Sequence, residues 1–354
     1  MSKKAVLVNV SGDKDGERVL KELEALADTA GYTVEASLVQ RKSMPDRRYY
    51  IGSGKLEELK NVVMATESEV VIFDNDLTGS QFHNLETYLG VTVIDRATLI
   101  IEIFAAHARS NEGKLQVELA AKRQALPRVI GKGIAMSRQG GGGGGGGGAR
   151  RGGGEQQLEL DKRTIRREIR ELEQKIEKLG EERRLRREKR VKNDVKVVSI
   201  AGYTNAGKST LMNALTKADV LEEDKLFATL DPVGRKLWLA PGREFLLVDT
   251  VGFISRLPHA FVQAFRSTLE EVVYSDLILH VVDASDPDLI GHYDVVNSVF
   301  SEIGVKDTPI LVVLNKCDLG DPVCLPDASH IVTISARTGE GIDRLKDKIA
   351  EMLF

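Results

Sequence analysis

Cysteine is almost absent. The chain of 354 residues holds two, Cys317 and Cys324. That is too few for a disulfide framework, so a reducing, cytoplasmic setting is expected. Histidine is scarce as well: six residues, widely scattered, so no metal-ligand cluster is expected. No stretch approaches the ~18 consecutive apolar residues of a membrane helix, so no span is expected. The opening "MSKKAVLVNVSGDKDGERV" has too short an apolar run for a signal peptide and reads as a first strand. Aromatics make up 5% and apolar residues 42% of the chain, ordinary for a globular protein. The length fits about two domains, and a monomer is expected.

What is present is unevenly distributed. Net charge is −3 overall. Between Ala121 and Lys196, however, 22 Lys and Arg stand against 11 Asp and Glu. A basic middle between acidic ends points either to a localised polyanion contact or to solvated helix faces.

Residues 1–96 alternate short apolar runs ("AVLVNV", "TVEASLVQ", "EVVIFDND", "VTVID") with amphipathic stretches. This pattern predicts a small α/β domain with a mostly parallel sheet. Residues 97–192 change character. "ATLIIEIFAAHARSNEGKLQVELAAKRQAL" predicts one helix that Pro127 ends. "EQQLELDKRTIRREIRELEQKIEKLGEERRLRREKR" predicts a second, longer helix. In it Ile165, Ile169, Leu172, Ile176 and Leu179 form a heptad seam, so it packs on a partner helix. The cheapest partner is the preceding helix, which makes a long antiparallel helical hairpin. Its basic tip, 127–155, contains nine consecutive glycines, Gly140 to Gly148. From 193 to 354 five apolar runs suit buried parallel strands, and "GIDRLKDKIAEMLF" predicts a terminal helix that buries Ile342, Leu345 and Ile349.

The chemistry sits in this last segment. "GYTNAGKST" follows an apolar strand and precedes a helix, the setting a P-loop requires. Its residues Gly202, Tyr203, Thr204, Asn205, Ala206, Gly207, Lys208, Ser209 and Thr210 are expected to cradle phosphates with backbone N–H groups. Lys208 is placed to reach the β- and γ-phosphates, and the Ser209 hydroxyl to hold Mg2+. In "NKCD" the carboxylate of Asp318 can accept the N1–H and N2–H2 of guanine, a donor pair adenine lacks. Asn315 can hold the loop and the N7 edge, and the stem of Lys316 can lie over the ring. "SAR", Ser335, Ala336 and Arg337, can offer the Ala336 N–H to guanine O6. Such polar pairing rejects the wrong base strongly, so GTP and GDP are the expected ligands. In "DTVG" Asp249 is expected to bind Mg2+ through water, followed by Thr250, Val251 and Gly252. The Gly252 N–H can sense the γ-phosphate. Thr229, in "LFATLDP", is the expected residue to close on Mg2+ in the GTP state. Phe253 stands where many GTPases place a water-orienting glutamine, so slow hydrolysis in isolation is expected, and Asn205 suggests K+ as a compensating cation.

With "YYIGSGKLEELK", "VIDRATLIIEIFAAHARSNEGKLQVELA", "EQQLELDKR", "LFATLDP", "DTVGFI" and "LPHAFVQAFRSTLEE", these motifs resemble the HflX family of ribosome-associated GTPases over nearly the whole chain. The resemblance implies a factor that binds the large ribosomal subunit and splits or rescues stalled ribosomes under stress. It also implies that the N-terminal domain and hairpin contact ribosomal RNA. Arg138, Arg150 and Arg151 of the tip are the candidate phosphate contacts. The tip departs from the family's pattern: its glycine excess raises the entropy cost of ordering it. Two other readings use the same residues: a large-subunit assembly GTPase, and a non-enzymatic, GTP-dependent RNA-binding or hibernation module.

Overall fold

The computed structural model describes residues 2–12, 16–139, 148–216, 227, 233–240, 243–256, 266–320, 325 and 329–354; within these, the side chains of 130–139, 148–157, 240 and 266–268 are excluded. The chain divides into two compact units. The first comprises Met1–Ala106 and Leu115–Lys175, the second His107–Lys114 and Ile176–Phe354.

In the first unit, β1 (Lys3–Ser11), α1 (Gly16–Thr29), β2 (Tyr32–Arg41), α2 (Ser53–Thr66), β3 (Val70–Phe73), α3 (Gly79–Leu89) and β4 (Thr92–Asp95) alternate as the pattern predicts. The sheet order is β2-β1-β3-β4, with every pairing parallel. β3 is buried on both faces, which is why it reads as a continuous apolar run. Leu59, Phe73 and Leu85 are fully enclosed in the core between sheet and helices.

Three long helices follow, and two expectations about them need correction. The single helix expected through 97–126 is two helices, α4 (Arg96–His107) and α5 (Asn111–Gln139). Ser110 separates them: its hydroxyl accepts the Gly113 N–H at 2.8 Å, and such a side-chain bond at a helix start favours a new N-terminus over continuation. Second, α5 does not stop at Pro127 but runs through it to Gln139. Proline removes one backbone bond, yet its flanks are tied to the domain. Gln124 donates to Asp95 at 2.9 Å and Arg128 to the same carboxylate at 3.1 Å. The Arg128 guanidinium also lies 3.8 Å from the Phe82 ring centre. These contacts hold both turns beside the missing bond. The long α6 (Gly148–Lys192) begins before the expected Glu155, so helix occupies much of 127–155; 140–147 lie outside the described residues.

Along α6 the seam positions are the shielded ones. Leu172 is buried, and Ile165, Ile169, Ile176 and Leu179 are half-buried. Within the first unit Lys122 and Arg123 of α5 pair with Glu168 and Glu173 of α6, each at 2.7 Å. Within the second, Glu112 at the start of α5 meets Arg183 late in α6.

The rest of the second unit is β5 (Lys196–Gly202), α7 (Lys208–Thr216), β6 (Val233–Ala240), β7 (Arg243–Asp249), α8 (Arg266–Val273), β8 (Leu277–Asp283), α9 (Leu289–Ile303), β9 (Ile310–Asn315), β10 (Ile331–Thr333) and α10 (Ile342–Leu353). The six strands are ordered β10-β9-β8-β5-β7-β6, and β6 alone pairs antiparallel. The sequence pattern predicts the five parallel strands but not β6. That strand lies at the sheet edge, with Leu237 buried between exposed Lys236 and Trp238, so it lacks the apolar run of its neighbours. As expected, α10 buries Ile342, Leu345 and Ile349. The chain leaves β5 toward β7 on one side and reaches β8 on the other. The crevice outside the carboxyl ends of these strands is the topological switch point, where open α/β sheets bind ligands.

Candidate nucleotide site

The loop from Gly202 to Gly207 leaves β5 at that switch point and feeds α7, which starts at Lys208. Backbone packing dictates its glycines. A Cβ on Gly207, at φ 87°, would lie 2.2 Å from Asn315 Nδ2. Asn205 also takes a left-handed conformation, φ 61°, which asparagine tolerates better than most residues. Its side chain is exposed.

Lys208 is buried, and its Nζ donates to the Tyr203 carbonyl at 2.7 Å. Burial lowers its pKa to about 8, against the opposing pull of the Asp249 carboxylate. The amine is thus held inside the loop, where an anionic ligand would favour its charged form. One residue on, the Ser209 hydroxyl donates to Asp249 at 3.0 Å. Asp249 ends β7 and is fully buried. A hydroxyl beside a buried carboxylate is a hard oxygen set of the kind Mg2+ prefers. Thr210 follows in the first turn of α7, half-buried.

The segment after β7 is locked to the loop. Thr250 donates to the Ile200 carbonyl at 2.7 Å, and Val251 is buried. A Cβ on Gly252 would meet Thr204 Cγ2 at 2.8 Å and Lys208 Nζ at 3.0 Å. Phe253 donates to the Gly202 carbonyl at 3.1 Å and accepts from the Thr204 N–H at 2.7 Å. Its ring is 1% exposed and packs edge-on to Phe300.

At the other edge of the crevice, Asn315 ends β9, buried. Its Nδ2 donates to the Ala206 carbonyl and its Oδ1 accepts the Ala336 N–H, both at 2.9 Å. One side chain thus ties the phosphate loop to the base loop, and the Ala336 N–H expected for guanine O6 is engaged with Asn315. Lys316 places its Nζ on Asp283 at 2.7 Å. Asp318 accepts from the Ser335 hydroxyl at 2.7 Å and pairs with Arg337. The Ser335 bond, helped by Arg337, lowers its pKa against a burial penalty, so the group stays an anionic acceptor.

The expected residues Gly202 to Thr210, Asp249 to Gly252, and Asn315, Lys316, Asp318, Ser335, Ala336 and Arg337 therefore lie around one crevice. Thr229 lies outside the described residues; Arg138, Arg150 and Arg151 lie in helices, but their side chains are outside them too. Motif reading missed three partners. The Tyr203 phenol shares a 2.7 Å hydrogen bond with Ser255 and accepts the Ser255 N–H at 2.8 Å. On its face stacks His292, 3.7 Å between ring centres. Asp283, at the end of β8, holds Lys316. Only Asp283 carried a signal, an acid closing an apolar strand.

The chain is similar to known proteins along nearly its whole length. Residues 17–105 match the family model described as GTP-binding GTPase N-terminal. Residues 107–190 match GTP-binding GTPase Middle Region, and 197–316 match 50S ribosome-binding GTPase. GTPase HflX of Caldanaerobacter subterraneus subsp. tengcongensis is 50% identical over 352 residues, 99% of this chain and 81% of that protein. GTPase HflX of Escherichia coli (strain K12) is 42% identical over 357 residues, 99% of this chain and 82% of that one. Among solved structures, a GTP-binding protein from Sulfolobus solfataricus in complex with GDP superposes with a TM-score of 0.52 at 27% identity, covering 99% of this chain and 98% of that one. The described residues contain no helix long and apolar enough to cross a membrane. With relatives this similar over nearly its whole length, the chain belongs to the HflX family and is a GTPase.

Proposed function

We propose that this GTPase binds the large ribosomal subunit through its ribosomal RNA and, in its GTP state, splits or rescues stalled ribosomes in the cytoplasm under stress, with hydrolysis driving release. The observation that carries this reading is the match of residues 197–316 to a 50S ribosome-binding GTPase, in a chain whose basic excess is confined to the helices before it.

Lys208 is assigned to the β- and γ-phosphates, the Gly252 N–H to the γ-phosphate and Asp318 to guanine, with Asn315, Ser335, Ala336 and Arg337 holding the base loop in place. Ser209 and Asp249 fit Mg2+, and Thr229 is assigned to close on it. The ion would neutralise charge developing on the phosphate oxygens. Asn205 is assigned to K+; equal turnover in KCl and NaCl would remove that assignment. Arg138, Arg150 and Arg151 are assigned to RNA phosphates. Because Phe253 cannot orient water, the chain alone turns over slowly and ribosomes stimulate it.

Sucrose-gradient sedimentation of the monomeric protein with purified ribosomes tests the reading. Whole ribosomes should separate into subunits with GTP or a non-hydrolysable analogue, not with GDP, and Lys208→Ala should abolish both splitting and turnover. Binding confined to immature particles, with mature ribosomes left whole, would overturn it in favour of an assembly role.

A further inference from the structure

The position after Gly252 is filled by a phenylalanine sealed in the core, so the usual water-orienting group is missing. Its polar neighbours are already engaged: Thr250 Oγ1 with the Ile200 carbonyl and Ser255 Oγ with Tyr203. Thr204 is different. It is 7% exposed, and its hydroxyl is buried with no hydrogen-bond partner among the described residues. Leaving such a group unpaired is costly, and a valine would fill the same space without that cost.

Its location gives the hydroxyl a use. The Thr204 N–H is fixed on the Phe253 carbonyl at 2.7 Å. Its methyl abuts Gly252, the residue that also lies against Lys208 Nζ. Thr204, Gly252 and Lys208 thus meet at one point, the place assigned above to the γ-phosphate.

We propose that Thr204 is a catalytic residue of GTP hydrolysis, its hydroxyl accepting a hydrogen bond from the attacking water and donating one to a γ-phosphate oxygen. The water oxygen bonds to the γ-phosphorus as the bond from that phosphorus to the bridging oxygen breaks. The electron pair leaves on GDP, and the water proton ends on inorganic phosphate. This role rests on the phosphate-site assignment made above, and Lys208→Ala tests that assignment separately through loss of GDP and GTP binding.

The decisive comparison is Thr204→Val, which keeps the shape, against Thr204→Ser, which keeps the hydroxyl. Single-turnover hydrolysis should fall on the order of 100-fold in Thr204→Val and by less than about 3-fold in Thr204→Ser. A second readout does not depend on turnover. The affinity ratio of a non-hydrolysable GTP analogue to GDP should fall about 10-fold in Thr204→Val alone, the worth of one hydrogen bond to a charged group. GDP affinity itself should stay unchanged. Wild-type hydrolysis by Thr204→Val with GDP bound normally, or equal losses in both variants, would overturn the proposal. If Thr204→Val fails to bind GDP, Thr204→Ala is measured in the same two ways, with the same outcomes deciding.

Discussion

Asn315→Ala puts the clearest number on the site. The native side chain is 2% exposed and makes two buried bonds, to the Ala206 carbonyl and from the Ala336 N–H, both at 2.9 Å. Truncation leaves both backbone groups unpaired in positions where Ala206 is 1% and Ala336 7% exposed. Each orphan costs about 1–3 kcal/mol, so the loss should be about 2–6 kcal/mol, a large fraction of the roughly 5–15 kcal/mol that holds a domain together. Urea unfolding of the nucleotide-free protein is the assay, followed by fluorescence of Trp238, the sole tryptophan and a residue of the second unit. At about 2 kcal/mol per molar urea, the midpoint should drop on the order of 1–3 M. Asn315 ties two loops together whether or not a base is bound. A midpoint unmoved within about 0.3 M, with guanine nucleotide affinity lost, would show that the residue acts on the base alone and refute the bridging argument.

Three further outcomes follow from buried charge. His280 stacks on Tyr293 with neither ring nitrogen bonded among the described residues, and burial, then the Lys208 cation, lowers its pKa to about 3. The folded state therefore resists protonation: stability is full above pH ~6.5 and drains as pH falls toward 3. Roughly 2 kcal/mol should be gone by pH 5; His280→Phe should abolish that component in urea titrations at pH 7.5 and 5. Lys208, with a pKa of about 8, must gain a proton to meet a phosphate at higher pH. Calorimetry in buffers of different ionisation enthalpy should show uptake approaching one proton at pH 9, absent in Lys208→Arg. Finally, Arg190 and Glu271 form a forked pair whose three hydrogen bonds are each 3.1 Å. A double-mutant cycle to alanine should return a coupling of about 1–3 kcal/mol, and a value under about 0.3 kcal/mol would mark the pair as incidental.

Pairs of this kind leave no signature in the sequence. The candidate phosphate and base loops were legible because their geometry is local: a glycine that cannot carry a Cβ and the lysine that opens the next helix follow each other in the chain. The apolar seam of α6 was legible for a similar reason, since Ile165 to Leu179 repeat at helical spacing. Beyond Leu179 the shielded residues are Arg183, Arg187 and Arg190, at spacings of 4, 4 and 3, and they are half-buried. Hydrophobic periodicity cannot register an arginine as a seam residue. Its stem is apolar, but its head is acceptable there only beside a carboxylate. Those carboxylates are Glu112, Glu270 and Glu271, all distant in sequence, with Tyr274 adding a face 4.3 Å from the Arg187 guanidinium. Pro127 failed for the same kind of reason: a local rule ended the helix, while Asp95, fixed by the sheet, held it intact. The links between Tyr203, Ser255 and His292 are likewise non-local. What the sequence concealed, then, was chiefly the polar side chains that fasten one motif to the next, because neither partner of such a contact is recognisable until the fold brings the two together.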